Sequence, residues 1–169
     1  DQRPDLATYY GQDTRLPYLP ILTHGQVIRS RAQYIETAAL RGVAYITAVQ
    51  AAAEPFVNTS FFYTVQGIST DGQYYVSADL ALNVAVFPSQ FPADFNMETF
   101  IAGLGDYLNQ SVTQLNSATP GDFSPSLEML DGLVQSMTFE TVSVAPSSPA
   151  TVTPVSDSSL GGLAGSWRL

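Results

Sequence analysis

The chain reads as an α+β domain, with an antiparallel β-sheet of about four or five strands and two C-terminal helices packed on one face. Three observations predict this. The stretch FFYTVQGISTDGQYYVSADL at 61–80 sets two runs of aromatic and β-branched residues about an Asp-Gly pair. The run VAYITAVQ at 43–50 is β-branched and apolar on both faces, as a central strand would be. Beyond residue 96 the apolar period changes from two to three-and-four, the helical spacing.

Residues 1–22 contain three prolines and read as an extended arm laid over the domain, with Leu16, Tyr18, Leu19, Ile21 and Leu22 able to pin it there. Residues 23–41 support two readings. Val27, Arg31, Tyr34, Ile35 and Ala38 fall at helical spacing, with Thr23 as N-cap and Gly42 as a stop. Alternation also works in part, setting Ile28, Ala32 and Tyr34 against Arg29, Arg31 and Gln33. In the hairpin, Asp71-Gly72 predicts a two-residue type I′ turn. Cross-strand partners then sum to 143. One face gathers Phe61, Tyr63, Val65, Val76, Ala78, Leu80 and Leu82; the other gathers Phe62, Thr64, Gln66, Ile68, Tyr75, Ser77 and Asp79. A slip of one residue would destroy that partition.

Asp94 or Asn96 can cap a helix whose stripe is Met97, Phe100, Ile101, Leu104, Leu108, Val112 and Leu115. Gly103 and Gly105 each weaken it by roughly 1 kcal/mol relative to Ala. Ser124 as N-cap and Pro125 at the first helical position open a second helix, with Leu127, Leu130, Val134 and Met137 inward. TFETVSV at 138–144 closes the domain as a short strand. The organisation is then an arm over 1–22, one α+β domain over 23–144, and a Ser/Thr/Pro/Gly linker over 145–162. Residues 163–169 turn apolar again, as the start of a further domain would.

Composition narrows the function classes. Charged residues make up 12%, about half of the roughly 25% usual for soluble domains. Six Arg, no Lys and fifteen acidic residues leave a net charge of −9. A field of that sign repels phosphate backbones, so no nucleic-acid partner is expected. Cys is absent, which removes disulfides, thiol nucleophiles and Cys-based zinc sites. No apolar run approaches the roughly 18–20 residues of a transmembrane helix. A Lys-free, Cys-free, weakly charged and Ser/Thr-rich chain fits an exported bacterial protein better than a cytosolic enzyme.

Catalytic chemistry has little to work with. His24 is the single histidine and follows a capping Thr, so a surface role is expected for it. Asp94, Asn96 and Glu98 form a D-x-N-x-E run without the Gly and distal Glu of a calcium loop, and read as helix-start acids. Glu36, Glu54, Asp79 and Glu140 lie on or beside strands, and Asp79 is the best single acid for a paired-carboxylate site. Arg29, Arg31 and Arg41 cluster in sequence and fit either carboxylate recognition or local charge balance. No catalytic, metal-binding or cofactor-binding residue is assigned. The candidate contact strip is Phe62, Thr64, Gln66, Tyr75, Ser77 and Asp79 on the polar face of the hairpin.

RLPYLPI at 15–21, RGVAYITAVQA at 41–51, FFYTVQGISTDGQYYVSA at 61–78 and SPSLEMLDGLVQSMTF at 124–139 stand in an order that resembles a group of exported proteins and lipoproteins of cyanobacteria and filamentous phototrophic bacteria. The likeness covers roughly residues 15–140, and no catalytic residue belongs to any of its motifs. Members commonly carry Arg after the Gly-Val of the second patch, where this chain has Ala44. The resemblance implies paired strands across 28–49, which favours strand over helix at 29–37. LAGSWRL at 163–169 resembles the opening strand of META-type envelope domains, which can follow this module. The sheet followed by helices also resembles the PsbP-like α/β/α sandwich. The expected function is a non-catalytic, exported cell-envelope module for binding or assembly, with a protein or carbohydrate partner or its own copies. The alternatives are a structural subunit of an extracellular filament or photosynthetic complex, and a glycan hydrolase built on Asp79 and a neighbouring Glu.

Overall fold

A computed structural model describes residues 3, 5, 6, 16–19 and 25–139, all within the unit Asp1–Phe139. The fold is α+β. Strands β1 (Gly25–Glu36), β2 (Leu40–Gln50), β3 (Phe61–Ser69), β4 (Tyr75–Val84) and β5 (Phe123–Ser124) form one antiparallel sheet in sequential order. Helices α1 (Met97–Ala102), α2 (Leu104–Ser117) and α3 (Leu127–Gln135) follow β4.

The alternation of β2, β3 and β4 divides the sheet cleanly. Ala44, Ile46, Ala48, Phe61, Tyr63, Val65 and Leu82 share one buried cluster with Leu108 and Leu115 of α2 and Leu130 and Val134 of α3. Helices therefore cover that face. The opposite face carries a smaller cluster in which Leu6 and Leu16 of the arm pack on Val43 and Tyr45. Among the described arm residues on this face, Leu6 lies in a helical turn, Leu16 in a bend, and 17–19 are irregular.

β1 is a strand throughout, as the resemblance implies, but its alternation is broken. Register shifts fall between Gln26 and Ile28 and between Ser30 and Gln33. The second inserts Arg31 with φ of 51°. Ser30 and Gln33 consequently pair with Ile46 and Ala44, both on the helical face. A bulge thus reverses the parity of everything beyond it. Ala32 and Tyr34, grouped by alternation with Ile28, lie on the arm face instead.

The hairpin register is the predicted one: Phe61 pairs with Leu82, Thr64 with Asp79 and Ile68 with Tyr75. Its turn is different. The Ser69 and Gly72 backbones close a β-turn (Gly72 N to Ser69 O, 2.8 Å), and only Gly72, at φ 74°, is left-handed there. Type I′ would need positive φ at both central residues. Asp71 instead accepts from the Ser69 hydroxyl at 2.5 Å and Gln73 N at 3.0 Å, an Asx-type closure that releases it from the left-handed region.

Three further expectations change. The helix over 97–115 breaks at Gly103 into α1 and α2, and Met97 and Ile101 of its stripe are exposed. Asn96 does cap α1, its side chain accepting from Thr99 N at 3.0 Å. Ser126, not Ser124, caps α3, because Phe123 and Ser124 are taken into the sheet beside Asn83 and Val84. Thr138 and Phe139 are not in a strand; the rest of the segment to 144, the linker and residues 163–169 lie outside the described residues.

Arg31 ties the bulge to the helical layer. Its Nε donates to Leu115 O at 2.6 Å and its Nη2 to Asn116 O at 3.1 Å and to Ala118 O. Its guanidinium also lies 4.9 Å from the centroid of the Phe123 ring. These carbonyls are the unpaired C-terminal acceptors of α2, where a cation also meets the negative end of the helix dipole.

Candidate functional site

On the arm face, β2, β3 and β4 bring Tyr45, Phe62, Thr64, Gln66, Tyr75, Ser77 and Asp79 onto one surface. Gln66 is its centre and is 1% exposed. Its Nε2 donates to the Thr64 and Ser77 hydroxyls at 2.9 Å each, and its Oε1 accepts from Tyr75 Oη at 2.6 Å. A buried amide held so fully has one orientation and presents a fixed acceptor.

That acceptor is used by the arm. Leu19 N donates to Gln66 Oε1 at 3.0 Å, and the Ser77 hydroxyl donates to Leu19 O. Tyr18 Oη donates to Asp79 Oδ2 at 2.8 Å, and Tyr45 Oη donates to Pro17 O at 2.7 Å. Burial, then the bond to Asp79, pushes the Tyr18 phenol up. Burial pushes Tyr45 up to about 12, so both hydroxyls remain donors at neutral pH. Five of the six strip residues (Thr64, Gln66, Tyr75, Ser77 and Asp79) form one hydrogen-bonded group around residues 17–19.

Phe62 stands apart from that group. Half-buried, it lines a groove of about 350 Å³ with Gln50, Glu54, Thr59, Ser60 and Phe91. Phe91 is 51% exposed. The groove lies where β2 ends and β3 begins, between the 51–60 loop and Phe91. An aromatic cluster stiffens that end of the fold: Phe56 lies 5.2 Å from Phe61 and 5.6 Å from Tyr107, which also accepts from Phe56 N at 2.6 Å. The groove's volume sits at the lower end of ligand pockets, which run from about 300 to 1,000 Å³.

A second polar group lies on the helical face. Tyr63 Oη donates to Asp131 Oδ1 at 2.5 Å, and Gln33 Nε2 reaches both, at 3.1 and 2.7 Å. Burial, reinforced by the Asp131 bond, holds the Tyr63 phenol protonated well above its ordinary range. The cavity beside it measures about 130 Å³ and is also lined by Tyr34, Ile35, Val134 and Gln135.

The remaining candidates are scattered. Glu36 pairs with Arg3 at 2.7 Å and with Arg41 at 3.6 Å, so Arg41 balances charge locally. Arg29 is buried in the sheet and Arg31 caps α2. Asp79 faces Tyr18, while Glu54 lines the groove. His24 and Glu140 lie outside the described residues. Among the described residues no cluster of three His, Asp or Glu can hold a metal ion, and no helix is long and apolar enough to cross a membrane. Sequence reasoning found Phe62 but missed its companions Phe91, Gln50 and Thr59, which lie in loops and at a strand end where periodicity carries no signal. No family model matches this chain, and no curated protein or solved structure matches it either.

Proposed function

We propose that this chain is a non-catalytic, exported cell-envelope module that binds a carbohydrate through the Phe62–Phe91 groove. The observation that carries the reading is the groove itself, lined by the exposed Phe91 ring and the half-buried Phe62 ring together with an amide, a carboxylate and two hydroxyls. Aromatic faces stack on the C–H faces of sugar rings while Gln50, Glu54, Thr59 and Ser60 meet their hydroxyls. The weakly charged, Lys-free and Ser/Thr-rich composition is what leans the reading toward an exported setting. The polar strip supports the same reading, since its side chains hold the arm in place and so complete the face beside the groove.

Calorimetric titration of the full chain with soluble envelope oligosaccharides, run beside a reducing-end assay, tests this. Saturable binding without product release is expected, weakened at least about tenfold by Phe62→Ala, a loss of about 1.4 kcal/mol. Glycan turnover, or binding indifferent to Phe62 and Phe91, refutes it.

A further inference from the structure

Among the described residues, the backbone of β4 has one side paired and most of the other open. Ser69 N donates to Tyr74 O, and Val84 N donates to Asn58 O, so even-numbered residues of β4 direct their amides toward β3 and the chain leading into it. Odd-numbered ones point outward: Asn83 pairs with Ser124 of β5, and Ala85 N donates to Asp122 O. β5 stops there. Among the described residues, the outward amides and carbonyls of Tyr75, Ser77, Asp79 and Ala81 face no other strand.

Such an edge is a template for another strand unless it is blunted. β1, at the other side of the sheet, is blunted by two bulges and by the left-handed Arg31. The open window of β4, YVSADLA at 75–81, contains no Pro, Lys, Arg or bulge. Its one charge, Asp79, is already bonded to Tyr18.

We propose that this edge pairs with the same edge of a second copy, antiparallel, about a two-fold axis through Ala78. The register follows from the window. An axis at Ala78 sets Tyr75 against the partner's Ala81 and Ser77 against the partner's Asp79. Every outward residue is then used, giving about eight backbone hydrogen bonds, against about six for an axis at Ser77 or Asp79. An axis at Asp79 would also set two carboxylates directly opposite each other, which is unfavourable. At Ala78 each carboxylate meets a serine hydroxyl, and Val76 meets Leu80 on the helical face. The contact is isologous and therefore closes at two copies.

The test uses the full chain and its lack of native cysteine. Sedimentation across micromolar concentrations is expected to show a mass twice that of the monomer. Ala78→Cys places two thiols in a non-hydrogen-bonded pair, with Cα atoms about 4.5 Å apart, within disulfide range. Mild oxidation is expected to cross-link Ala78→Cys and to leave Ala81→Cys, which faces Tyr75 of the other copy, uncoupled. Ala81→Pro removes an outward N–H without touching the β3 ladder and is expected to give a monomer with unchanged far-UV dichroism. A full chain that stays monomeric, or an Ala81→Cys that cross-links as readily as Ala78→Cys, overturns the proposal. Should Ala81→Pro fail to fold, the pair of cysteine variants decides alone.

Discussion

Arg31 offers the sharpest test of how the two layers are joined. Replacing it by Ala removes three side-chain bonds to α2 carbonyls and the contact over Phe123. A hydrogen bond from a charged donor contributes about 1.5–3 kcal/mol, but one partly exposed guanidinium shared among three carbonyls gives less than their sum. The dipole and the aromatic contact add about 0.5–1 kcal/mol each. Arg31→Ala should therefore cost about 2–4 kcal/mol. For a chain of this size that lowers the melting temperature by roughly 4–16 °C. The backbone adds a second, opposite expectation. At φ 51° an L-residue costs about 1 kcal/mol that glycine avoids. Arg31→Gly should thus be about 1 kcal/mol more stable than Arg31→Ala, although it removes a larger side chain. Arg31→Lys keeps the charge but not the fork, and should lie near Arg31→Ala. Urea and thermal melts of the three variants decide the matter. An Arg31→Ala within 0.5 kcal/mol of the parent, or a glycine variant less stable than the alanine, would refute the reasoning.

Other perturbations follow from the same packing. A Cβ at Gly42 would lie 2.2 Å from Gln66 O, a backbone atom that cannot step aside, so Gly42→Ala should cost about 3 kcal/mol or more in urea unfolding. Gly132 has open space around it inside α3, and Gly132→Ala should stabilise by about 1 kcal/mol in the same assay. Tyr45→Phe leaves Pro17 O without its donor and should cost about 1 kcal/mol while speeding proteolysis within 16–19; unchanged proteolysis would separate Tyr45 from the arm. The Thr119 hydroxyl and amide hold the Asp122 carboxyl below the ordinary carboxylate range. A lowered folded-state value contributes stability at neutral pH that is lost as pH falls through it, so the urea midpoints of the parent and Asp122→Asn should converge in acid. A gap that stays constant with pH would contradict that.

Much of the fold was legible because period-two patterning is unambiguous where one face is buried. Phe61, Tyr63 and Val65 against Thr64 and Gln66 determine both the register and the face of β3, whatever turn closes the hairpin. The turn type was not legible, since Asp71 can serve as a left-handed residue or as an Asx acceptor with the same two letters. β1 resisted both readings because its bulge at Arg31 is set by a contact to α2 more than eighty residues later. Local spacing carries no trace of that contact. Gly103 marks a weak point in the helix, but whether the helix breaks there depends on tertiary packing. The strip on the polar face was legible as a group. Its occupation by Pro17, Tyr18 and Leu19 was not, although the apolar residues of the arm showed that it would be pinned somewhere on the domain.

The central claim is that this sheet carries a binding groove beside a strip filled by its own arm. Two-dimensional NMR of the full chain during titration with a soluble envelope oligosaccharide tests it most directly. The account predicts shifts confined to Gln50, Glu54, Thr59, Ser60, Phe62 and Phe91, with Gln66 and Asp79 unmoved and the arm still in place. Shifts centred on Asp79 and Gln66 with displacement of Tyr18, or sugar resonances changing with time as bonds are cleaved, would contradict it.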